Sequence, residues 1–192
     1  MMADNYYIIT YGLEENVPIL AWDESSREFS RNKPVSKKKY QLKIGEPKPN
    51  SIKVVDHFWI SRPVVNKQLA ECLSINIPEE QVQVVEVDID GIDLSDSYYI
   101  IHLLQRYSCV DLDKSDVILN KNGRIRSVTN IVLKKEFFVD VPLNNRLAFR
   151  IDLDYEHNVI HQSIKEKIEA LNPTGIRFIA LKDWNVSSPF GS

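Results

Sequence analysis

Residues 149–181, FRIDLDYEHNVIHQSIKEKIEALNPTGIRFIAL, spell a strand, a helix and a second strand in one run. Val159 and Ile160 close an extended segment, and Ile164, Ile168 and Leu171 then recur at the spacing of a single helical face. Asn172-Pro173-Thr174-Gly175 stops the helix. After it, Ile176, Phe178 and Ala180 alternate as a half-buried strand does. The polar positions are Lys, Glu, Gln and Asn, which solubilise a surface and perform no chemistry. A chain whose best-defined element is scaffold acts through its exterior more readily than through a pocket.

Working outward, the same grammar recurs upstream. In VVNKQLAECL (residues 64–73), Asn66 is a preferred N-cap, and Leu69, Cys72 and Leu73 fall on one face of the helix that follows. Aligned on the cap, this segment echoes VIHQSIKEKI: Val64 matches Val159, Val65 matches Ile160, Leu69 matches Ile164 and Leu73 matches Ile168. The second cap position holds His161, a poorer capping residue than Ser or Asn.

Strands are expected at Tyr6–Tyr11, Ile19–Trp22, Tyr40–Ile44, Val82–Ile89, Tyr98–Leu104 and Cys109–Leu112, from runs of β-branched and aromatic residues or clean alternation, and the apolar run Val54–Ile60 is expected to pack into the core. Around Asn122-Gly123, Val117–Leu119 and 124–133 read as a hairpin, because Asn-Gly tolerates the positive φ of a tight turn. The predicted class is α+β: a mostly antiparallel or mixed β-sheet with two short amphipathic helices, at about 66–74 and 161–171. One domain is expected across residues 1–192, with a strand and a basic, loop-rich part at 1–53 and the main core at 54–181.

Composition excludes some classes. No stretch of about 18 apolar residues exists to span a bilayer, and the first ten residues lack the pattern of a secretory signal. Cys72 and Cys109 sit in apolar patterns and read as buried free thiols in a reducing compartment. The net charge of −3 hides a polarised chain. Arg27 to Lys53 holds nine basic residues against two acids, and Glu86 to Asp116 holds eight acids against two basic residues. Such polarity can steer a charged partner.

Catalytic and metal patterns are weak. No glycine-rich phosphate loop, Cys-x-x-Cys or His-Glu-x-x-His occurs. His157 and His161 would share a face on a helix but lie in an extended segment, and Asp56 and His57 are adjacent on a strand and point to opposite sides. Asp88 with Asp90, and Asp111 with Asp113, have the i, i+2 spacing that puts two carboxylates on one strand face. The surrounding sequence lacks a calcium-loop pattern. No catalytic residue, metal or cofactor is therefore expected. Asp88, Asp90, Asp93, Asp111, Asp113 and Asp116 read as an acidic surface for a basic partner. Lys37-Lys38-Lys39-Tyr40 has the charge-plus-aromatic character of a nucleic-acid surface, which the overall acidity opposes.

The order DHFWIS (56–61), VVNKQLAECL, the strand around VEVDI, SYYIIHLLQRYSCVDLDKSDV (97–117), the Asn-Gly hairpin into RIRSVTNIVLKK and the closing run quoted above resembles immunity protein family 11 of bacterial polymorphic-toxin systems, over about residues 50 to 181. Thr174-Gly175-Ile176-Arg177-Phe178 fits the family's closing pattern, and His161 departs from its usual Ser. The resemblance implies a cytoplasmic, non-enzymatic protein that binds a cognate toxin or effector, with no membrane and no nucleic acid as partner. Two other readings compete with it: an enzyme with an active site assembled from residues such as His57 and His102, and a nucleic-acid or regulatory adaptor acting through residues 31–53.

Overall fold

The computed structural model describes residues 5–123, 125–152, 157–185, 187 and 188. Its elements form two larger sheets and a hairpin, with three helices among the described residues. The six-stranded sheet has the order β2 (Leu20–Trp22), β3 (Lys39–Ile44), β6 (Val82–Asp90), β7 (Tyr98–Leu103), β5 (Pro63–Asn66), β4 (His57–Trp59). The five-stranded sheet runs β13 (Ile176–Ala180), β1 (Tyr6–Tyr11), β12 (His157–His161), β11 (Ala148–Ile151), β8 (Arg106–Tyr107). β9 (Asp116–Leu119) and β10 (Ile125–Asn130) pair with each other. The helices are α1 (Lys67–Asn76), α2 (Lys135–Asp140) and α3 (Gln162–Glu169).

The echo between the two capped helices is the visible end of a larger repeat. In one half, the β4–β5 hairpin leads into α1, which crosses to β6, and β7 inserts between β5 and β6. In the other, the β11–β12 hairpin leads into α3, which crosses to β13, and β1 inserts between β12 and β13. The inserted strands both begin Tyr-Tyr-Ile-Ile, and they pair in the same register. Tyr98, Tyr99 and Ile100 oppose Asn66, Val65 and Val64; Tyr6, Tyr7 and Ile8 oppose His161, Ile160 and Val159. Register also equates Phe58 with Phe149, opposite Val64 and Val159. Each Phe packs on its unit's first Tyr, at 5.4 Å for Phe58–Tyr98 and 5.7 Å for Phe149–Tyr6. Beyond the inserted strands, the Leu104 amide donates to the Gln81 carbonyl and the Gly12 amide to the Gly175 carbonyl, both at 2.8 Å. The protein is thus two copies of one β–β–α–β–β unit, the second circularly permuted so that its last strand opens the chain. The inserted strands lie far from their units' other matching segments, or out of order, so a linear reading finds only the cap and helix.

This repeat dictates three hydrophobic layers. Alternate residues of each sheet face a shared centre, where Val65, Ile101, Ile9 and Ile160 meet Leu69 and Leu73 of α1 and Ile164 and Ile168 of α3. The opposite faces carry separate cores. Phe58, Val64, Tyr98 and Ile100 pack with Leu20 and Leu42 of the same sheet and are covered by Phe29 and Val35 from the segment between β2 and β3. Phe149, Val159, Tyr6 and Ile8 are covered by Cys109, Val110, Val128, Ile131, Leu133 and Phe137. Residues 23–38 and 109–138 therefore act as two unrelated covers over two related sheets.

The expected α+β class holds, with a mixed six-stranded sheet because β3 runs parallel to β6. Several details differ. α1 extends to Asn76 and α3 stops at Glu169. The run 54–60 does enter the core through Val55, Phe58 and Ile60, with His57–Trp59 as a strand, but Val54 is exposed. Cys109–Leu112 makes only one bridge, Val110 to Leu133. α2 lacks a long periodic stretch that would announce it: its six residues bury Phe137 and leave Val139 exposed. Among the described residues of the hairpin, positive φ falls on Gly123, whose amide donates to the Asn120 carbonyl, and not on Asn122. The turn is hence longer than the two-residue Asn-Gly form, and the register shifts beside it. Part of the opening run, residues 153–156, lies outside the described residues.

Candidate functional site

The six acidic candidates divide between the two halves. Asp88 and Asp90 lie exposed on β6, and Asp93 lies exposed just after it. β3, the best-defined strand of the basic segment, is the parallel neighbour of β6, so Lys39, Gln41 and Lys43 stand opposite Glu86, Asp88 and Asp90. Lys39 reaches Asp88 at 2.8 Å and Glu86 at 3.1 Å, and Gln41 donates to Asp88 at 2.9 Å. The Lys39 hydrogen bond holds the Asp88 carboxyl below its ordinary range and raises the lysine in return. Lys43 pairs with Asp23 at 2.7 Å, and Lys37 pairs with Glu24. The two charged runs read along the chain thus meet on this sheet at Lys39, while Lys37 and Lys43 are answered by acids outside the acidic run.

Asp111, Asp113 and Asp116 belong to the other cover, in the turn that enters β9. Asp111 pairs with Lys114 at 2.5 Å, which holds its carboxyl low, while Asp113 and Asp116 are exposed. Beside them stand exposed apolar groups: Leu112 at 48%, Ile118 at 55% and Leu119 at 49%. Alternation explains part of this pattern. Val117 points down into the core with Val128, so its neighbours Asp116 and Ile118 point out. Leu112 and Ile125 line a hollow of about 110 Å³ with Ser108, Val110, Lys134 and Asp152, and Ile125 is the register partner of Leu119. The sequence reading named the acids here but missed these apolar neighbours. The exposed Ile118 beside an inward Val117 was the available signal.

The remaining candidates are structural. Asp56 accepts from the Thr174 amide and hydroxyl at 2.8 and 2.7 Å and from the Asn66 side chain at 2.7 Å. Asn66 in turn caps α1 by accepting from the Leu69 amide at 3.0 Å. His57, fully buried, donates from Nδ1 to the Gly175 carbonyl at 2.8 Å, and burial pushes its pKa down to about 4. Gly175 has φ +76°, and a β-carbon there would lie 2.4 Å from the His57 carbonyl. Thr174-Gly175 is thereby a latch between the two halves. His102 is also buried, at about 4, lowered by desolvation and by nearby Arg62 and Arg150. Those two arginines donate to the Phe29 carbonyl from opposite halves.

His157 and His161 sit at the two ends of β12. His157 packs on Trp184, and His161 accepts from the Ser163 amide at 3.2 Å, so it does serve as the α3 cap. Among the described residues, no group of His, Cys, Asp and Glu is placed to hold a metal ion. Both cysteines are free; Cys109 is buried, with its thiol pushed up to about 12 by desolvation, and Cys72 is half-buried. Tyr40, the proposed stacking ring of the basic segment, is only 2% exposed and offers no face to a base. No described helix is long and apolar enough to cross a membrane.

No curated protein matches the chain. A family model does match, over residues 57–183 and the three residues before them, a span that takes in both hairpin–helix units and the Asp111–Leu119 surface. By that match over residues 54–183, the chain belongs to the immunity protein family (Imm11).

Proposed function

We propose that the protein, acting as one immunity-type domain in the bacterial cytoplasm, neutralises the cognate toxin of a polymorphic-toxin system by binding it directly and without catalysis. Family membership over 54–183 carries this reading. The toxin docks on the surface formed by Asp111, Asp113 and Asp116 with Leu112, Ile118 and Leu119. Three observations support that choice. Apolar groups half exposed beside acids resemble the anchor-and-rim composition of protein interfaces. The surface belongs to a cover that the internal repeat does not share, so the scaffold does not require it. The competing acids Asp88 and Asp90 face Lys39, Gln41 and Lys43 within the protein's own sheet. Asp88, Asp90 and Asp93 then act as a distant field on association.

Co-expression with the toxin tests this. Leu112→Asp with Ile118→Asp should abolish protection and co-purification while leaving the urea midpoint of the protein unchanged. Full protection by that double variant would refute the docking surface, and failure of the wild type to bind the toxin would refute the function itself.

A further inference from the structure

At the end of β1 the chain passes through Gly12, Leu13 and Glu14 and encloses a hollow of about 200 Å³ against Val17, Pro18, Ile19 and the β4 residues His57, Phe58 and Trp59. Its rim is apolar, with Leu13 and Ile19 exposed at 53% and 56%. Tyr11 and Trp59, 6.3 Å apart, contribute two aromatic rings to its walls. Two residues of its wall, Glu14 and His57, each carry a buried acceptor. Glu14 uses Oε1 to accept from the Gly175 amide at 2.8 Å, while its Oε2 has no hydrogen-bond partner among the described residues. His57 donates through Nδ1 to a carbonyl, so its proton is on that nitrogen and Nε2 presents a bare lone pair. That Nε2 is likewise buried with no described partner.

A β-carbon at position 12 would lie 1.8 Å from Glu14 Oε2, so a larger residue there would make this flexible carboxylate swing aside. The repeat sharpens the point, because the equivalent of Gly12 in the other half is Leu104, buried at 8% exposure. One half fills this position with a side chain; the other admits a carboxylate beside a neutral imidazole. Two buried acceptors without a donor have given up their hydration with nothing in exchange, so a donor belongs here.

We propose that this hollow binds a primary ammonium on a short aliphatic stem, the end group shared by a free alkylamine and a lysine side chain. The ammonium donates to Glu14 Oε2 and His57 Nε2, and the stem lies along Leu13, Ile19 and the two rings, which also favour a cation at their faces. This site is independent of the toxin surface and of whether the protein is an immunity factor.

The test is a titration of the full ¹⁵N-labelled chain with n-butylammonium chloride at neutral pH, following His57 Nε2 and the Trp59 indole. Capped lysine (Nα-acetyl-lysine N-methylamide) and 1-butanol serve as parallel probes. A saturable shift of both signals with an ammonium but not with butanol is expected, weakened about tenfold or more in Glu14→Gln. A response to butylammonium alone assigns a free amine; a response to capped lysine alone assigns a side chain. Should Glu14→Gln fail to fold, Leu13→Trp closes the mouth without touching the acceptors and should remove the response. Equal response to butanol, or no saturable shift with either ammonium, overturns the proposal.

Discussion

The two halves share strand order, helix placement, register and even the Tyr-Tyr-Ile-Ile of the inserted strand, yet they are finished differently. The first is covered by a basic segment whose strand β3 lies against the acids of β6 and pairs with them through Lys39. The second is covered by a hairpin and a short helix that leave leucine, isoleucine and aspartate facing outward. What the halves share is what a shared core requires. Alternate residues must meet α1 and α3, and each helix must be capped. What they do not share is free of that requirement, and there a partner-specific surface can arise.

Truncating the matched phenylalanines gives the largest expected effect. Phe58 and Phe149 are both fully buried in equivalent registers. Phe58→Ala and Phe149→Ala should each lower stability by about 3–5 kcal/mol in urea denaturation. A difference between them larger than about 2 kcal/mol would show that the halves are alike in path but not in energetics.

Acid should separate the halves next. His57 and His102 are on strands of the first unit, and the register places Ala148 and Thr10 at the equivalent sites. Their folded pKa values of about 4 lie below the ordinary 6.5, so the unfolded chain takes up protons first. Stability is full above pH 6.5 and falls as pH drops towards 4, by up to about 3 kcal/mol per histidine. Hydrogen exchange near pH 4.5 should therefore show β4, β5 and β7 opening before β11 and β12. The reverse order would contradict the assignment of neutral, buried imidazoles.

Much of this architecture was legible. β1 and β13 were read to the residue at both ends, and β6 and β7 to within one, because alternation and β-branching are strong over five to nine positions. The repeat was not, beyond its capped helices. Circular permutation separates Tyr6–Ile9 from Ala148–Ala180, and only hydrogen-bond register restores the correspondence. The meeting of the basic and acidic runs was equally hidden, since the paired residues of β3 and β6, such as Lys39 and Glu86, are 47 positions apart. The acids at 111–116 were visible as charge, whereas their apolar neighbours became meaningful only once the inward side of β9 was known.

The latch gives a smaller contrast. Gly175→Ala meets both a positive φ and the His57 carbonyl, and should reduce stability by about 2–3 kcal/mol. Its counterpart Gln81→Ala, which loses one bond to the Asn144 carbonyl, should lose about 1 kcal/mol. Thermal melts of the two variants would reveal whether the latch is specific to position 175.

Smallest are the caps. Asn66→Ala should destabilise by about 1–2 kcal/mol, and His161→Ala by less than about 1, because Asn66 also ties down Asp56. His161→Ser should restore or exceed wild-type stability.

The central claim is that the second cover, and not the charged strands of the first, holds the toxin. Its most direct measurement is the toxin affinity of Leu112→Asp/Ile118→Asp beside that of Asp88→Asn/Asp90→Asn. The account predicts a loss of about 100-fold or more for the former, carried by faster dissociation, and a change within about threefold for the latter. Undiminished affinity in the former, with a large loss in the latter, would contradict it.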